Sequence, residues 1–359
     1  LLTLINDILD MSRIESGKMT KSKAPTRLIV FLTAIMIFSV ISVSAANGDT
    51  LIAAGTPLGV RFRTEGVMIT GIRPVNDSEA SPALDAGLRR GDVIVFINDR
   101  KIQSADTLLD TVKNSEGKVT VKYLRAGKEM TATLTPLRDS DGELRLGLWV
   151  RESASGIGTI TFIDPSGSTF AGLGHGICDP ESGALLPMAE GTVEDVILTG
   201  ITAGKRGAPG ELHGFFSGKQ NGKLSANTFS GITGILSSVP EGLENELYPI
   251  GKRNEVHEGE AYIFTTVDGE GRKKYSIEIS KIDAGGSQKN FTVTVTDPSL
   301  LEKTGDIVQG MSGSPIIQDG KLIGAITHVL VSDPTSGYGI FIENMLPASN
   351  TASLCDIAA

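Results

Sequence analysis

The chain has 359 residues, enough for two or three domains, and 40% of them are hydrophobic. That apolar content supplies buried cores and excludes a chain that is disordered over most of its length. A formal net charge of −9 gives no basic surface for nucleic acid. Two cysteines, Cys178 and Cys355, are too few for a disulfide framework or a four-thiolate zinc site.

Residues 1–18 have the pattern of an amphipathic helix. They resemble the stretch that follows the phosphoacceptor site of sensor histidine kinases, with its N-D-I-L-D and I-E-S-G-K strings. No histidine precedes them, since the first in the chain is His175. We therefore expect an extraneous or fused fragment without kinase function, the alternative being a cytosolic interaction helix.

Residues 19–46 have the pattern of a signal-anchor. Lys21, Lys23 and Arg27 precede an uncharged run at 28–46, about 28 Å long as a helix at ~1.5 Å per residue, which is enough to span hydrocarbon. The positive flank predicts that the chain after this segment lies outside the cytoplasm. Small residues near the end of the run leave a cleaved signal peptide as the alternative.

After a short linker at 47–56, residues 57–137 alternate apolar runs with turn signals. We predict strands near 67–69, 92–98 and 119–123, and a helix over 105–113 with Ser104 as its N-cap. The spacing S-P-A-x-x-A-G-L-x-x-G-D-x-I-x-x-I-N from Ser81 resembles a PDZ domain, an α+β module.

The PDZ resemblance implies a loop of backbone N–H groups that binds a carboxylate, and a sheet edge to which a peptide adds as a strand. The matching loop residues are Leu58, Gly59 and Val60. An internal segment of a partner is the alternative ligand to a free C-terminus.

Residues 150–349 are glycine-rich and alternate β-branched with other residues, which predicts a mainly β fold. Runs at 156–163 and 291–296 indicate strands, and the turn at 318–321 indicates a hairpin. We expect an all-β barrel or sandwich domain.

The motif G-M-S-G-S-P at 310–315 is the sharpest chemical signal in this module. A serine nucleophile has to project from a tight loop, and glycines permit the backbone conformations that this requires. The N–H groups of Gly310 and Ser312 can face a developing oxyanion. The string resembles the nucleophile loop of chymotrypsin-like peptidases, the alternative being a plain glycine-rich turn.

A serine nucleophile needs a base, and the chain offers His175, His213, His257 and His328. His175 lies in a small-residue loop and precedes Ser312, the base-before-nucleophile order of chymotrypsin-like enzymes. His213 and His257 fit exposed loops, and His328 fits a packed position at the end of a strand. We predict His175 as the general base.

A carboxylate is expected to hold the tautomer of the histidine. The candidates left open by spacing are Asp179, Asp195, Asp268, Asp297 and Asp306. Asp297 follows a predicted strand shortly before Ser312, although a turn-initiating aspartate before Pro298 explains it equally well. No metal site is predicted, because His175, Cys178 and Asp179 lack further ligands at metal-binding spacing.

The signal-anchor, the PDZ-like module, the G-H-G-I-x-D string at 174–179 and the T-G-D-I-V-Q-G-M-S-G-S-P string at 304–315 together resemble the SpoIVB peptidase family. The resemblance implies a sporulation serine endopeptidase with His175, Asp297 and Ser312 as its catalytic set and no cofactor. It also implies insertion in the forespore inner membrane facing the intermembrane space.

The resemblance further implies two substrates. The enzyme would cleave itself and then a membrane-bound SpoIVFA-like protein, which releases intramembrane processing of pro-sigma-K. The alternatives are a non-enzymatic, membrane-anchored PDZ adaptor and a general HtrA-like quality-control protease. The HtrA order is the reverse, with the protease before the PDZ domain.

Overall fold

The computed structural model describes residues 50–76, 81–166, 168–180, 182–205, 207–330 and 335–346. The predicted fragment at 1–18, the signal-anchor at 19–46 and Cys355 lie outside the described residues. Within the described ranges, no helix has both the length and the apolar character needed to cross a membrane.

The described chain is mainly β, with a few short helices, a helical segment at 342–346 and a 3-10 turn at Arg253–Glu255. In chain order the strands are β1 (Thr50–Ala53), β2 (Pro57–Ile72), β3 (Val93–Ile97), β4 (Arg100–Lys101), β5 (Val119–Arg125), β6 (Lys128–Leu134), β7 (Leu137–Arg138), β8 (Leu144–Arg145), β9 (Leu148–Ile163), β10 (Thr169–Gly172), β11 (Met188–Thr202), β12 (Glu211–Thr228), β13 (Gly231–Leu236), β14 (Leu247–Pro249), β15 (Gly259–Thr265), β16 (Lys273–Ser280), β17 (Phe291–Val295), β18 (Pro315–Gln318), β19 (Lys321–Val329) and β20 (Ser336–Phe341). The helices before that segment are α1 (Pro82–Asp85), α2 (Ala105–Lys113) and α3 (Pro298–Thr304).

The first barrel is a ring of antiparallel strands in the order β2-β9-β10-β13-β12-β11, closed because β11 returns to β2. Only the first half of β2 takes part, and alternate residues there point inward. Leu58, Val60 and Phe62 are each at most 2% exposed and belong to the apolar core of this barrel.

The second barrel is closed by the strands β15-β16-β17-β20-β19-β18. Period-2 alternation fills it, as in β16, where Tyr275, Ile277 and Ile279 are buried and their neighbours are not. The predicted hairpin is confirmed: β18 and β19 pair across a tight turn in which Asp319 and Gly320 both have positive φ.

The PDZ-like module is the part of the chain between strands β2 and β9, together with the ends of these two strands that adjoin it. The second half of β2 pairs with β3 and with the start of β9, and the sheet continues through β5 to β6. The predicted helix over 105–113 is confirmed as α2, with the Ser104 hydroxyl accepting from the Thr107 N–H at 3.1 Å. The module is thus an insertion into the first barrel.

The topology adds two features to the boundaries predicted from the sequence. The linker at 47–56 includes strand β1, which pairs with β14 and β9. The division into a module at 57–137 and a peptidase domain at 150–349 misses that residues 57–63 complete the first barrel. The reason is that these residues pair with β9 on one side and β11 on the other.

The predicted peptide-binding loop is corrected by the same pairing. Leu58, Gly59 and Val60 form no carboxylate loop: all three pair with β9, and Gly59 and Val60 also pair with β11. Main-chain groups that already bond to two flanking strands are not free to receive an added peptide strand. These three residues are therefore part of a barrel strand rather than of a peptide-binding loop.

The insertion predicts which truncations fold. A fragment of residues 138–346 lacks β2, so its first barrel has two unpaired strand edges, and we expect no cooperative unfolding in urea. A chain of residues 50–346 in which a two-residue turn replaces 64–152 keeps β2 and rejoins Arg63 to its partner Ser153. We expect this chain to unfold cooperatively, and cooperative unfolding of the 138–346 fragment would contradict the insertion.

Candidate active site

The loop that carries Ser312 lies against the first barrel, although it belongs to the second. The N–H of Thr159 donates to the carbonyl of Ser312 at 3.0 Å, and its hydroxyl donates to the carbonyl of Gly310 at 2.8 Å. The hydroxyl of Thr161 donates to the carbonyl of Gly313 at 2.7 Å. Both threonines are on β9 and are at most 2% exposed. These three hydrogen bonds from strand β9 hold the nucleophile loop in place.

The two glycines that flank Ser312 are required by this close approach. Gly310 has φ +100° and Gly313 has φ +97°, a region that other residues rarely adopt. A Cβ at Gly313 would lie 2.1 Å from the carbonyl oxygen of Thr159. The loop geometry thus agrees with the prediction that glycines shape the surroundings of the nucleophile.

The backbone amides predicted to hold the oxyanion remain free for that role. In the part of the chain that the structure describes, the N–H groups of Gly310 and Ser312 donate to no protein acceptor. The neighbouring amides of Met311, Gly313 and Ser314 all have carbonyl partners. An oxyanion hole at Gly310 and Ser312 stays a prediction, and this pattern supports it.

Ser312 and His175 both line a cleft of about 430 Å³ between the two barrels. Its walls include the apolar side chains of Ile157, Val308 and Val329. The Ser312 hydroxyl donates to the carbonyl of Thr327 at 2.5 Å, so it has to rotate about its Cα–Cβ bond to give its proton to His175.

A backbone carbonyl sets the tautomer of His175. Nδ1 lies 3.0 Å from the carbonyl oxygen of Gly176, and because that oxygen only accepts, the proton sits on Nδ1. Nε2 is left with the lone pair that a general base needs. Burial lowers the pKa of His175, an effect only partly offset by the Gly176 hydrogen bond.

Asp297 makes its hydrogen bonds to groups other than His175 in this structure, and its role as the acid that orients His175 stays a prediction from spacing and family resemblance. It is the N-cap of α3, and one oxygen accepts from Ser299 and from the N–H of Leu300. The other oxygen accepts from the N–H of Ser276. Burial alone raises the pKa of Asp297, but these hydrogen bonds outweigh it and hold the pKa below its ordinary value.

The other candidate acids also have partners elsewhere. Asp195 contacts Asn221 and Lys219, and Asp268 contacts Lys303.

Asp179 and Asp306 are the two fully buried candidates. Asp179 accepts from Ser182 and faces Arg151 at 3.6 Å. Burial raises the pKa of Asp306 to about 6, against a hydrogen bond from Gly204. Among the residues placed by the structure, no carboxylate bonds to His175, and no cluster of three or more metal-ligating side chains occurs.

The remaining histidines follow the sequence-based prediction in part: His213 is exposed as predicted but lies on strand β12 rather than in a loop. His213 contacts Thr202 and His257 pairs with Asp319, both on the surface. His328 is not an ordinary packed residue, because it lines the cleft and its ring centroid lies 4.7 Å from that of His175. The sequence places His328 near the end of the strand that follows the nucleophile loop, but that position alone did not predict its contact with His175.

Two six-stranded barrels that meet at a glycine-framed serine and a neutral histidine define a chymotrypsin-like serine endopeptidase. The family model of the SpoIVB peptidase S55 matches residues 142–346, more than half of the chain, and a PDZ domain model matches residues 57–135. The chain belongs to the SpoIVB peptidase S55 family.

Solved structures give weaker similarities. The PDZ domain of an SdrC-like protein from Listeria monocytogenes is 21% identical, with 24% of this chain and 87% of that chain covered and a TM-score of 0.21. The active form of protease Rv3671c from M. tuberculosis is 12% identical, with 78% and 89% covered and a TM-score of 0.31. The HtrA-type protease AlgW with a decapeptide is 12% identical, with 84% and 66% covered and a TM-score of 0.34.

The buried environment of His175 predicts the acid limb of activity. The base has to be neutral, and burial lowers its pKa, so activity should persist below the ordinary histidine value of about 6.5 and fall only at lower pH. The measurement is kcat/KM on a peptide substrate from pH 4.5 to 8. An acid limb centred at or above pH 6.5 would contradict a buried, neutral His175 as base.

The position of Asp297 predicts a split between two substitutions. Asparagine caps a helix as well as aspartate, so Asp297→Asn should keep activity within a few-fold of wild type, whereas Asp297→Ala should cost about 0.5–2 kcal/mol of stability. Urea unfolding and kcat of the folded enzyme measure the two effects. A triad acid behaves differently, since its replacement by asparagine lowers kcat by about 10⁴. A loss of that size in Asp297→Asn would restore Asp297 to the catalytic set.

Proposed function

We propose that this endopeptidase works by acyl transfer at Ser312, with His175 as the general base. The observation that carries the proposal is the glycine-framed loop of Ser312, which lines the same cleft as His175. Among the described residues, the amides of Gly310 and Ser312 and the Nε2 of His175 have no hydrogen-bond partner. Ser312 Oγ bonds to the peptide carbonyl carbon while its proton passes to His175 Nε2, and the carbonyl oxygen becomes the oxyanion.

The second half of the reaction returns the proton. The Gly310 and Ser312 amides hold the oxyanion, and the C–N bond breaks as His175 gives its proton to the leaving amine. Water then bonds to the acyl carbon and gives a proton to His175, and the bond from that carbon to Ser312 Oγ breaks as His175 returns the proton to Oγ, which releases the carboxylic acid. No step requires a metal or a cofactor.

We further propose two substrates, the enzyme itself and a membrane-bound regulatory protein like SpoIVFA, whose cleavage triggers intramembrane processing of pro-sigma-K in a sporulating cell. Membership of the SpoIVB peptidase family supports this proposal. The apolar walls of the cleft support a preference for extended segments that place an apolar side chain beside the scissile bond.

We propose that the apolar run at 28–46 anchors the enzyme in the forespore inner membrane, with the peptidase in the intermembrane space. The charge asymmetry around this run supports that orientation. Anchoring would hold the cleft close to a membrane-bound substrate and to the N-terminal part of a neighbouring copy of the enzyme.

The inserted module offers a route from partner binding to the active site. Strand β9 begins in the PDZ sheet, where it pairs with β2, and ends beneath the nucleophile loop at Thr159 and Thr161. A partner that shifts the module therefore acts on the strand that fixes Gly310 and Gly313. This continuity supports a regulatory role for the module.

Self-processing by the full chain tests the proposal. Wild type should shorten from its N-terminal side in intact-mass spectra and should react with a fluorophosphonate at Ser312. Ser312→Ala should stay whole alone and be cut when wild type is added. Shortening of Ser312→Ala alone, or failure of wild type both to shorten and to react with the fluorophosphonate, would contradict a serine peptidase centred on Ser312.

A further inference from the structure

The nucleophile motif contains a second serine that the proposed mechanism does not use. Ser314 follows Ser312 by two residues in the string G-M-S-G-S-P, but its side chain is fully buried. Its hydroxyl donates to the carbonyl oxygen of Met311 at 2.7 Å, and its N–H donates to the same oxygen at 2.9 Å. Ser314 is therefore turned into the loop, away from a substrate in the cleft.

The carbonyl that Ser314 holds belongs to the peptide group that carries the Ser312 amide. A peptide group is planar and trans, so its N–H points in the direction opposite to its C=O. Because two donors of Ser314 fix the Met311 oxygen, they also fix the direction of the Ser312 N–H. This N–H is one of the two that are proposed to hold the oxyanion.

The other proposed oxyanion amide is held through its own peptide group. The Gly310 N–H shares that group with the carbonyl of Gln309, which accepts from the N–H of Leu212 on β12 at 2.9 Å. The next peptide group is held by the Thr159 hydroxyl, which donates to the Gly310 carbonyl. Among these contacts, that of Ser314 is the one in which a side chain orients a peptide group carrying an oxyanion amide.

A rotation of the peptide group between Met311 and Ser312 would close the oxyanion hole. The carbonyl oxygen would then turn toward the cleft, and the hydroxyl and N–H of Ser314 would both lose their buried acceptor, which is costly. Ser314 is itself anchored to β19, because its carbonyl accepts from the Ile326 N–H at 3.0 Å and the neighbouring Gly313 N–H donates to the Ile326 carbonyl at 2.7 Å. The buried serine therefore opposes this rotation.

We propose that Ser314 is a positioning residue for the oxyanion hole: its buried hydroxyl holds the Met311 carbonyl so that the Ser312 N–H stays directed at the substrate carbonyl oxygen. Ser314 touches no substrate atom and moves no proton. The inference rests on the proposed function, because an oxyanion forms only if Ser312 is the nucleophile. Ser312 attacks the carbonyl carbon, and Ser314 orients the amide that stabilises the product of that attack.

The variant Ser314→Ala in the full chain removes the hydroxyl and leaves the main chain unchanged. Loss of a whole oxyanion donor costs about 10²–10³ in kcat. Here the Ser312 N–H remains and only its orientation weakens, so we expect kcat to fall by about 3- to 10-fold, the effect of a single hydrogen bond.

Two further readouts of Ser314→Ala separate positioning from a general loss of structure. KM on the same peptide should stay within about two-fold of wild type, because the hole acts mainly on the transition state. The rate of reaction with a fluorophosphonate, whose phosphoryl oxygen occupies the oxyanion position, should fall by about 3- to 10-fold as well. The acid limb of kcat/KM should not move, because His175 is unaltered.

Thr266→Val is the matched control. Thr266 is also buried and its hydroxyl also donates to a backbone carbonyl, that of Gly55 at 3.0 Å, but it is not among the residues that line the cleft. We expect this variant to lose stability in urea and to keep the kcat of wild type.

Three results would overturn the inference. They are a kcat of Ser314→Ala less than about three-fold below wild type, a rise in KM with kcat unchanged, and an equal loss of kcat in Thr266→Val. A wild type that does not react with the fluorophosphonate, or an active Ser312→Ala, would instead overturn the proposed function.

A crystal structure of the full-length wild type after reaction with the fluorophosphonate keeps the inference testable if Ser314→Ala does not fold. The phosphonyl oxygen should accept from the Ser312 N–H, and the Met311 carbonyl should accept from both donors of Ser314. A phosphonyl oxygen away from the Ser312 amide, or a Met311 carbonyl turned toward the cleft, would overturn the inference.

Discussion

The hydrogen bonds from β9 to the nucleophile loop are the constraint on which the site depends. Thr159 and Thr161 belong to the first barrel, and they hold Gly310, Ser312 and Gly313 of the second barrel through carbonyl oxygens. Each such bond contributes about 0.5–1.5 kcal/mol net, and an unpaired buried carbonyl would cost more. Gly310 and Ser312 both line the cleft, and their amides donate to no protein acceptor in the described part of the chain.

The same strand explains why the PDZ-like module is inserted rather than appended. Strands β2 and β9 are long enough to serve two sheets, first the module and then the barrel. The backbone of β9 runs from the module to Thr159, which hydrogen-bonds to the nucleophile loop. The arrangement differs from an HtrA-like order, in which a PDZ domain follows a complete protease.

The electrostatics of the cleft follow from the burial of its two histidines. Both histidines have pKa values lowered by desolvation, which keeps them neutral and makes His175 a competent base at neutral pH. The structure gives the acids other tasks: Asp297 caps the helix that leads to the nucleophile loop.

Local patterns in the sequence determined much of this protein. The helix after Ser104, the hairpin after the nucleophile loop, the PDZ spacing and the roles predicted for Ser312 and His175 all depend on residues close together in the chain, where propensity and backbone conformation decide. Tertiary structure alone decided that residues 57–63 are a barrel strand, that Asp297 is a cap, and that His328 faces His175. Each of these depends on which distant strands pair when a barrel closes, and a one-dimensional pattern does not encode that choice.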